Sequence, residues 1–302
     1  MIRYLSKLPV LKRVIPSIIK KLKISNITFN YENLIFKLDL RYLIDRRFYL
    51  TKNYDNSKIQ LFNILINKFK ISNFLDLGSC WGIYSLRIAK NNPKTQILSF
   101  DVFKKNCSRL KEMREINKLN NILIFSTALG DSIKEVEFSV DEEYSPNYSK
   151  DLNGKFKINI NQDKLDNILN IQNEKIAIKI DVERTEIEVL NGSKKILEKN
   201  NCFVQIEYLE NFRIIIDNFF QKLSYNKIVY TKSDCNKAYF SNFLNQDDIN
   251  NLNSWKKFSG YRPSINNEFV RDVSCDRKWK QKIRETKTWF SGALVFYFLK
   301  VL

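Results

Sequence analysis

The stretch FLDLGSCWGIYSLRIAK, residues 74–90, joins an apolar strand pattern to a helical pattern through a turn that holds two glycines, Gly78 and Gly82. The whole chain has only seven glycines in 302 residues, against an average usage of about 7%. Two of them within five positions therefore indicate a local need for glycine. Such a turn between strand and helix is where an open α/β sheet brings its backbone close to a nucleotide. The stretch predicts a nucleotide or nucleoside site.

The segments around this stretch continue the alternation of strand and helix patterns. The predicted strands are residues 74–79, 95–101, 121–131, 175–183 and 202–208, with short closing strands at 227–230 and 237–243. The predicted helices begin at Trp81 and continue with 104–120, 184–200 and 210–225. This alternation indicates a parallel sheet with right-handed crossovers. The predicted fold class is α/β, with a doubly wound, mostly parallel sheet. Alternating residues between 134 and 160 predict an antiparallel hairpin.

The charge of the chain is concentrated at its ends. The formal net charge is +18, and residues 1–23 carry seven Lys or Arg with no acid, while residues 255–302 carry eleven basic and four acidic residues. We expect a domain at 56–245 between a basic, partly helical N-terminal extension (1–55) and a basic C-terminal extension (246–302). An anionic membrane surface or a nucleic acid is a candidate partner for these ends. Packing on the domain and plain solvated surface are the alternatives that we favour.

Composition excludes several kinds of chemistry. The chain has no histidine, so histidine triads and histidine general bases are excluded. Its five cysteines are scattered and form no C-x-x-C pair, which argues against a zinc site and is typical of a reducing, cytoplasmic setting. No signal peptide and no apolar run of about 18 residues is recognised, so we expect no membrane span.

The turn itself distinguishes between nucleotide classes. A P-loop needs a lysine after its last glycine, whereas Ile83 follows Gly82. A dinucleotide site needs G-x-G-x-x-G, and Cys80 stands where the second glycine should be. The pattern present is D-x-G-x-x-x-G, which begins at Asp76.

Carboxylates at the predicted strand ends indicate the sign of the charge on the ligand. Asp76, Asp101 and Asp181 each lie at the C-terminal end of a predicted strand. Together they favour a positively charged nucleoside, and S-adenosylmethionine matches this description. An acid at the position of Asp101 commonly binds a ribose diol. Asp76 or Asp101 taken singly is equally well explained as a helix cap or a turn residue.

Three blocks, FLDLGSCWGIYSLRIA, ILSFDVFKKNCSRLKEMREINKLNNILIFSTALGD and IKIDVERTEIEVLNGSKKIL, resemble the FkbM-type family of S-adenosylmethionine-dependent methyltransferases. The resemblance implies the class I, Rossmann-like methyltransferase fold. It implies that the cofactor binds Asp76, Gly78, Ser79, Gly82, Asp101, Ala128 and Leu129. It also implies that Asp181 and Glu183 lie beside the transferred methyl group. From the composition, we expect no metal ligands. The chain departs from the family at Arg184, where glycine is usual.

The expected function is O-methylation of a sugar, or of a polysaccharide or natural-product precursor, as the resemblance implies. Without histidine, the candidate bases are Asp181, Glu183 and Glu207, which close two predicted strands. Lys175 and Lys179 are expected at the sheet edge or surface. An RNA methyltransferase is one alternative. A binding protein that has lost catalysis is another, because Arg184 adds a cation beside the site.

Overall fold

A computed structural model describes residues 18–19, 21–22, 24–140, 148–149, 156–229, 237–250 and 264–266. Most of the two basic ends therefore lies outside the described residues, and the proposals for membrane or nucleic-acid contacts there remain predictions. Within the described residues, no helix is both long and apolar enough to cross a bilayer.

The described chain alternates between strands and helices over most of its length. The strands are β1 (Ile27–Tyr31), β2 (Leu34–Leu38), β3 (Asn73–Leu77), β4 (Gln96–Asp101), β5 (Ile122–Ser126), β6 (Ala128–Leu129), β7 (Lys134–Val140), β8 (Tyr148–Ser149), β9 (Phe156–Asp163), β10 (Lys175–Ile180), β11 (Asn201–Glu207), β12 (Asn226–Val229), β13 (Lys237–Ser241) and β14 (Ser264–Asn266). The helices are α1 (Leu43–Thr51), α2 (Asn56–Phe69), α3 (Ile83–Asn91), α4 (Lys104–Ile116), α5 (Leu165–Ile168), α6 (Glu186–Gly192), α7 (Lys194–Lys199), α8 (Arg213–Lys222) and α9 (Gln246–Asn250), with a 3₁₀ turn at Glu210–Phe212.

The central sheet has eight strands in the order β14-β12-β13-β11-β10-β3-β4-β5. The five strands from β11 to β5 are parallel, whereas β13 runs antiparallel to both of its neighbours. The chain leaves β3 toward β4 on one side and returns to β10 on the other, so the strand order reverses between β3 and β10. The predicted α/β class is confirmed, and the sheet is doubly wound and mostly parallel.

The two faces of the sheet are covered by different helices. One face packs against α2, α3 and α4, through side chains such as Phe62, Leu86 and Leu110. The other face packs against α5 to α8, through side chains such as Leu190 and Phe220. Strands buried on both faces are rich in apolar residues, and this explains why β3 and β11 could be recognised in the sequence without a strict alternation of polar and apolar residues.

An antiparallel hairpin and a helix precede the sheet, and the sequence patterns did not indicate this hairpin. Strands β1 and β2 pair antiparallel, and their Phe29 and Phe36 rings contact Phe48 of α1 at centroid distances of 5.3 and 5.0 Å. These rings belong to the same hydrophobic cluster as α2, α3 and α4. Arg87 of α3 also forms two 2.8 Å hydrogen bonds to the carboxylate of Glu32, in the hairpin turn. The hairpin therefore shares the core of the sheet.

Two expectations outside the main sheet have different outcomes. The antiparallel pairing of β7 with β9 confirms the predicted hairpin.

The prediction of a single helix at 184–200 is wrong, because α6 ends at Gly192 and α7 begins at Lys194. Gly192 packs so closely on the Gly130 carbonyl that a Cβ atom would overlap it. The break at Ser193, whose hydroxyl donates to the Val189 carbonyl, accommodates this approach.

Candidate functional site

The glycine turn lies at the C-terminal end of β3, where the strand order of the sheet reverses. Open α/β sheets bind ligands at this point. Gly78 has φ +79°, and a Cβ atom there would overlap the carbonyl oxygen of Asp181. Gly82 has φ +88°, and a Cβ atom there would overlap the side chain of Leu110. Both positions therefore require glycine for its positive φ and for its lack of a side chain.

Hydrogen bonds hold the turn against the end of β4. The backbone N–H groups of Gly78 and Ser79 both donate to the Phe100 carbonyl, at 3.0 and 2.8 Å. The N–H of Cys80 donates to Asp101 Oδ2 at 2.8 Å, and the N–H of Gly82 donates to the Ser79 carbonyl at 2.8 Å. These hydrogen bonds fix the turn against the sheet.

Asp101 joins the turn to the start of α4. Its Oδ1 atom accepts hydrogen bonds from the Phe103 N–H at 2.8 Å and from Asn106 Nδ2 at 3.1 Å. The residue is almost fully buried, yet it lines the cleft at the turn. Asp101 therefore fixes the turn, which was the alternative explanation from the sequence, and it also lines the cleft.

Asp76 lies one layer below the cleft. Its side chain is fully buried, its Oδ2 atom accepts a 2.6 Å hydrogen bond from Ser85 Oγ, and its Oδ1 atom lies 3.3 Å from Lys179 Nζ. Among the described residues, Asp76 does not line the cleft at the turn. Any influence of this carboxylate on a ligand therefore acts through charge and through the residues above it.

Two clefts adjoin at the turn, since Gly78 and Asp101 line both. We call the first the charged cleft. Its lining includes three carboxylates, one ammonium and three aromatic side chains: Asp101, Asp181, Glu183, Lys179, Tyr54, Trp81 and Tyr84. We call the second the apolar cleft. Its apolar lining is Phe100, Val102, Leu129, Phe138 and Val182, with Thr127 and Thr185 beside Asp101.

The expectation that Lys179 lies at the sheet edge or on the surface is wrong. It is buried, and its Nζ atom donates a 2.9 Å hydrogen bond to the Gly78 carbonyl. Burial by itself would lower the pKa of this ammonium, but the carboxylates of Asp76 and Asp181 outweigh burial and raise the pKa. Lys175, on the same strand, is exposed as expected.

The three candidate bases lie at the adjoining ends of β10 and β11. Asp181 Oδ2 lies 3.7 Å from Lys179 Nζ, and the Asp181 side chain is 31% exposed. Partial loss of hydration raises the pKa of Glu183, and the negative charges of Asp181 and Glu207 raise it further. Glu207 ends β11 and is partly buried. The structure thus brings all three predicted carboxylates together, although Glu207 does not line the charged cleft.

The remaining predicted residues around the turn divide between site and core. Ser79 lines the charged cleft, and Leu129 lines the apolar cleft. Ala128 is instead buried in a small cluster with Val136 and Phe138. Gly82 fixes the start of α3.

Two residues that follow Asp181 closely in sequence have a left-handed backbone conformation. Glu183 has φ +52° and Arg184 has φ +79°. The N–H of Arg184 donates to Glu186 Oε1 at 3.0 Å. Among the residues that the structure describes, the lining of the charged cleft does not include Arg184, and Glu186 is buried. Burial raises the pKa of Glu186 to about 7, against the opposing effect of backbone N–H donors.

Aromatic side chains complete the charged cleft, and the sequence did not single them out for this role. Burial raises the pKa of Tyr84, and the charge of Asp55 raises it further. The Tyr84 hydroxyl donates a hydrogen bond to Asp55 Oδ2 at 2.8 Å.

Among the described residues, no group of three or more acidic or cysteine side chains is arranged to hold a metal ion.

No protein-family model and no curated protein matches the chain. Among solved structures, the chain is similar to a methyltransferase from Geobacter sulfurreducens, with 13% identity and a TM-score of 0.41 over 66% of this chain and 84% of that one. It is also similar to TYW2 from M. jannaschii in complex with AdoMet, with 10% identity and a TM-score of 0.41 over 72% and 84%.

A third similar structure is a precorrin-6y C5,15-methyltransferase from Geobacter metallireducens GS-15, with 10% identity and a TM-score of 0.36 over 63% of this chain and 90% of that one. Likenesses this distant carry no inference about activity. The fold assignment rests on the strand order, and the site rests on its own geometry.

Proposed function

We propose that the chain is an S-adenosylmethionine-dependent methyltransferase. The observation that carries this proposal is the pair of adjoining clefts at the reversal of strand order. One is lined by three carboxylates and a single ammonium, and the other is lined mainly by apolar side chains. A ligand with a cationic half and a flat, weakly polar half matches both clefts at once.

The residues present fit this cofactor in chemical type. An excess of carboxylates over ammonium groups in the charged cleft suits an ammonium and a sulfonium. The apolar cleft, with Leu129 and Phe138, suits an adenine ring. Asp101, between the two clefts, would hold the ribose, and the backbone of Gly78 and Ser79 would contact the amino-acid part.

S-adenosylmethionine supplies an electrophilic methyl group when it is bound. The task of the protein is to hold an acceptor oxygen in line with that group and to exclude water, since alignment contributes much of the rate. The acceptor proton would pass to a carboxylate at the ends of β10 and β11. Asp181 and Glu183 are the leading candidates, because both line the charged cleft. Glu207, at the end of β11, is the neighbouring candidate.

We further propose a hydroxyl acceptor on a sugar, or on a polysaccharide or natural-product precursor, in the cytoplasm. The carboxylates at the ends of β10 and β11 support proton removal from a hydroxyl. The resemblance to FkbM-type enzymes supports the acceptor class. An RNA acceptor is supported by the basic ends alone.

Calorimetric titration with S-adenosylhomocysteine tests the cofactor. We expect micromolar binding by the full chain, and binding at least tenfold weaker in Asp101→Asn, which keeps the size of the side chain but removes its charge. Asp131→Asn makes the same chemical change in a side chain that is 42% exposed and lies outside both clefts. It should bind as the unmodified chain does.

Each result has a definite meaning. Loss of binding in Asp101→Asn alone would support the proposal and justify an acceptor screen, first with sugars and then with RNA. Absence of binding by the folded, unmodified chain would refute it and would favour a non-catalytic protein of this fold. Equal weakening in both variants would attribute the effect to net charge and not to the site.

A further inference from the structure

A row of buried polar residues crosses the sheet directly below the site. Its members are adjacent in register on five neighbouring strands: Ser99, Asp76, Lys179, Gln205 and Tyr239. All five are buried. Register neighbours and residues two apart along a strand lie on the same face of a sheet. The row therefore underlies a second row, two residues further along the parallel strands, formed by Asp101, Gly78, Asp181 and Glu207.

Lys179 connects the two rows. Its Nζ atom lies 3.3 Å from Asp76 Oδ1 in its own row. It also donates to the Gly78 carbonyl at 2.9 Å and lies 3.7 Å from Asp181 Oδ2, both in the upper row. The face of Tyr84, 5.3 Å from Nζ to the ring centre, covers the same ammonium.

The contact with Gly78 fixes one side of a particular peptide unit. The carbonyl of Gly78 accepts the hydrogen bond from Lys179, while the N–H of the same peptide, that of Ser79, donates to the Phe100 carbonyl. The peptide between Gly78 and Ser79 is thus held from both sides. The contact proposed above between the turn and the amino-acid half of the cofactor uses this same peptide.

We propose that Lys179 is a positioning residue that fixes the glycine turn and the Asp181 carboxylate in the orientation that binds ligand. This inference rests on the proposed function, since it names how that site is held in shape. The competing explanation is that Lys179 only balances the buried charge of Asp76. Breaking a buried ion pair by removing one partner leaves an uncompensated charge, so a single substitution cannot separate the two explanations.

The test uses three variants of the full chain. Lys179→Met removes the ammonium, and Lys179→Met with Asp76→Asn removes both charges of the buried pair, so that the Asp76 carboxylate is not left buried without its cation, while Asp181 remains partly exposed to solvent. Lys175→Met makes the same chemical change at the exposed end of β10. Thermal unfolding measures stability, calorimetry measures binding of S-adenosylhomocysteine, and hydrogen exchange of the ligand-free chain measures protection of residues 77–84.

We expect the double variant to regain thermal stability relative to Lys179→Met, and still to bind S-adenosylhomocysteine at least tenfold more weakly than the unmodified chain. We also expect exchange in residues 77–84 to be at least tenfold faster in the double variant, with exchange in β5 unchanged. Lys175→Met should match the unmodified chain throughout.

Recovery of binding and of protection together with stability in the double variant would overturn the inference. Failure of the unmodified chain to bind S-adenosylhomocysteine would instead refute the proposed function. In that case the exchange measurement, which needs no ligand, still decides whether Lys179 holds the turn. Unchanged exchange in residues 77–84 would refute this role by itself.

Discussion

Replacing Arg184 with glycine should stabilise the protein. Arg184 has φ +79°, a conformation that costs an L-residue about 1–2 kcal/mol. Glycine removes that cost but brings back about 0.5–1 kcal/mol of chain entropy on folding. The difference is a net gain of about 0.5–1 kcal/mol, which corresponds to a rise in Tm of about 1–4 °C for a domain of this size.

Two further variants separate backbone strain from the loss of the arginine side chain. Arg184→Ala removes the side chain but keeps a Cβ atom, so it should not stabilise. Arg184→Asn should fall between alanine and glycine, since asparagine tolerates positive φ. Thermal and urea unfolding of the four proteins, measured under identical conditions, gives the order directly.

The order of stability, and not the size of one shift, decides the outcome. If alanine stabilises as much as glycine, the arginine side chain is the destabilising element and the strain argument is wrong. If glycine destabilises, the contacts of the arginine outweigh its backbone strain. The expected order would mean that the departure from the FkbM-type pattern has a measurable energetic cost.

Three further predictions concern the surroundings of the site. Gly78→Ala should abolish binding of S-adenosylhomocysteine in calorimetry, because the new Cβ atom overlaps the Asp181 carbonyl; retained binding would refute the geometry of the turn. Glu186 has a pKa raised by burial from 4.5 to about 7, so its folded form holds a proton that the unfolded form releases. Stability relative to Glu186→Gln should therefore fall as pH rises from 4.5 to 7, by at most about 3 kcal/mol, and a flat difference in urea unfolding would contradict this. Ser85→Ala should cost about 1–3 kcal/mol in the same assay because it removes a donor to a buried carboxylate, whereas exposed Ser108→Ala should cost little; equal effects would show that burial of the hydroxyl does not matter.

The glycine turn and the order of strands could be predicted because they depend on local rules. An apolar strand that ends in a pair of glycines has few structural meanings, and β3 extends from Asn73 to Leu77, within about two residues of the predicted strand. The gathering of Asp101, Asp181 and Glu207 at one edge follows from parallel strands alone. These predictions required no knowledge of side-chain packing.

Lys179 was missed because its sequence context is ambiguous. An alternating lysine in a strand is usually solvated, and a buried one requires partners that lie far away in sequence, here Asp76 and the Gly78 carbonyl. One local signal was available. Lys179 precedes Asp181 by two residues, so both side chains must lie on the same face.

The N-terminal hairpin and the division of the helix at Ser193 also depend on tertiary contacts. The hairpin is stabilised by packing of Phe36 and Phe48, and the helix break by the approach of Gly192 to Gly130. Neither contact is visible in local periodicity.

Trp81 of the glycine turn packs against rings from the segment that precedes the sheet. Its ring centre lies 6.1 Å from that of Phe36 and 6.2 Å from that of Phe48, while Ile44 and Tyr54 line the charged cleft beside it. Site and hairpin are thus coupled in free energy. A ligand that stabilises the turn must also make it harder to detach residues 27–51, so occupancy of the cleft is measurable as protection of the hairpin from protease.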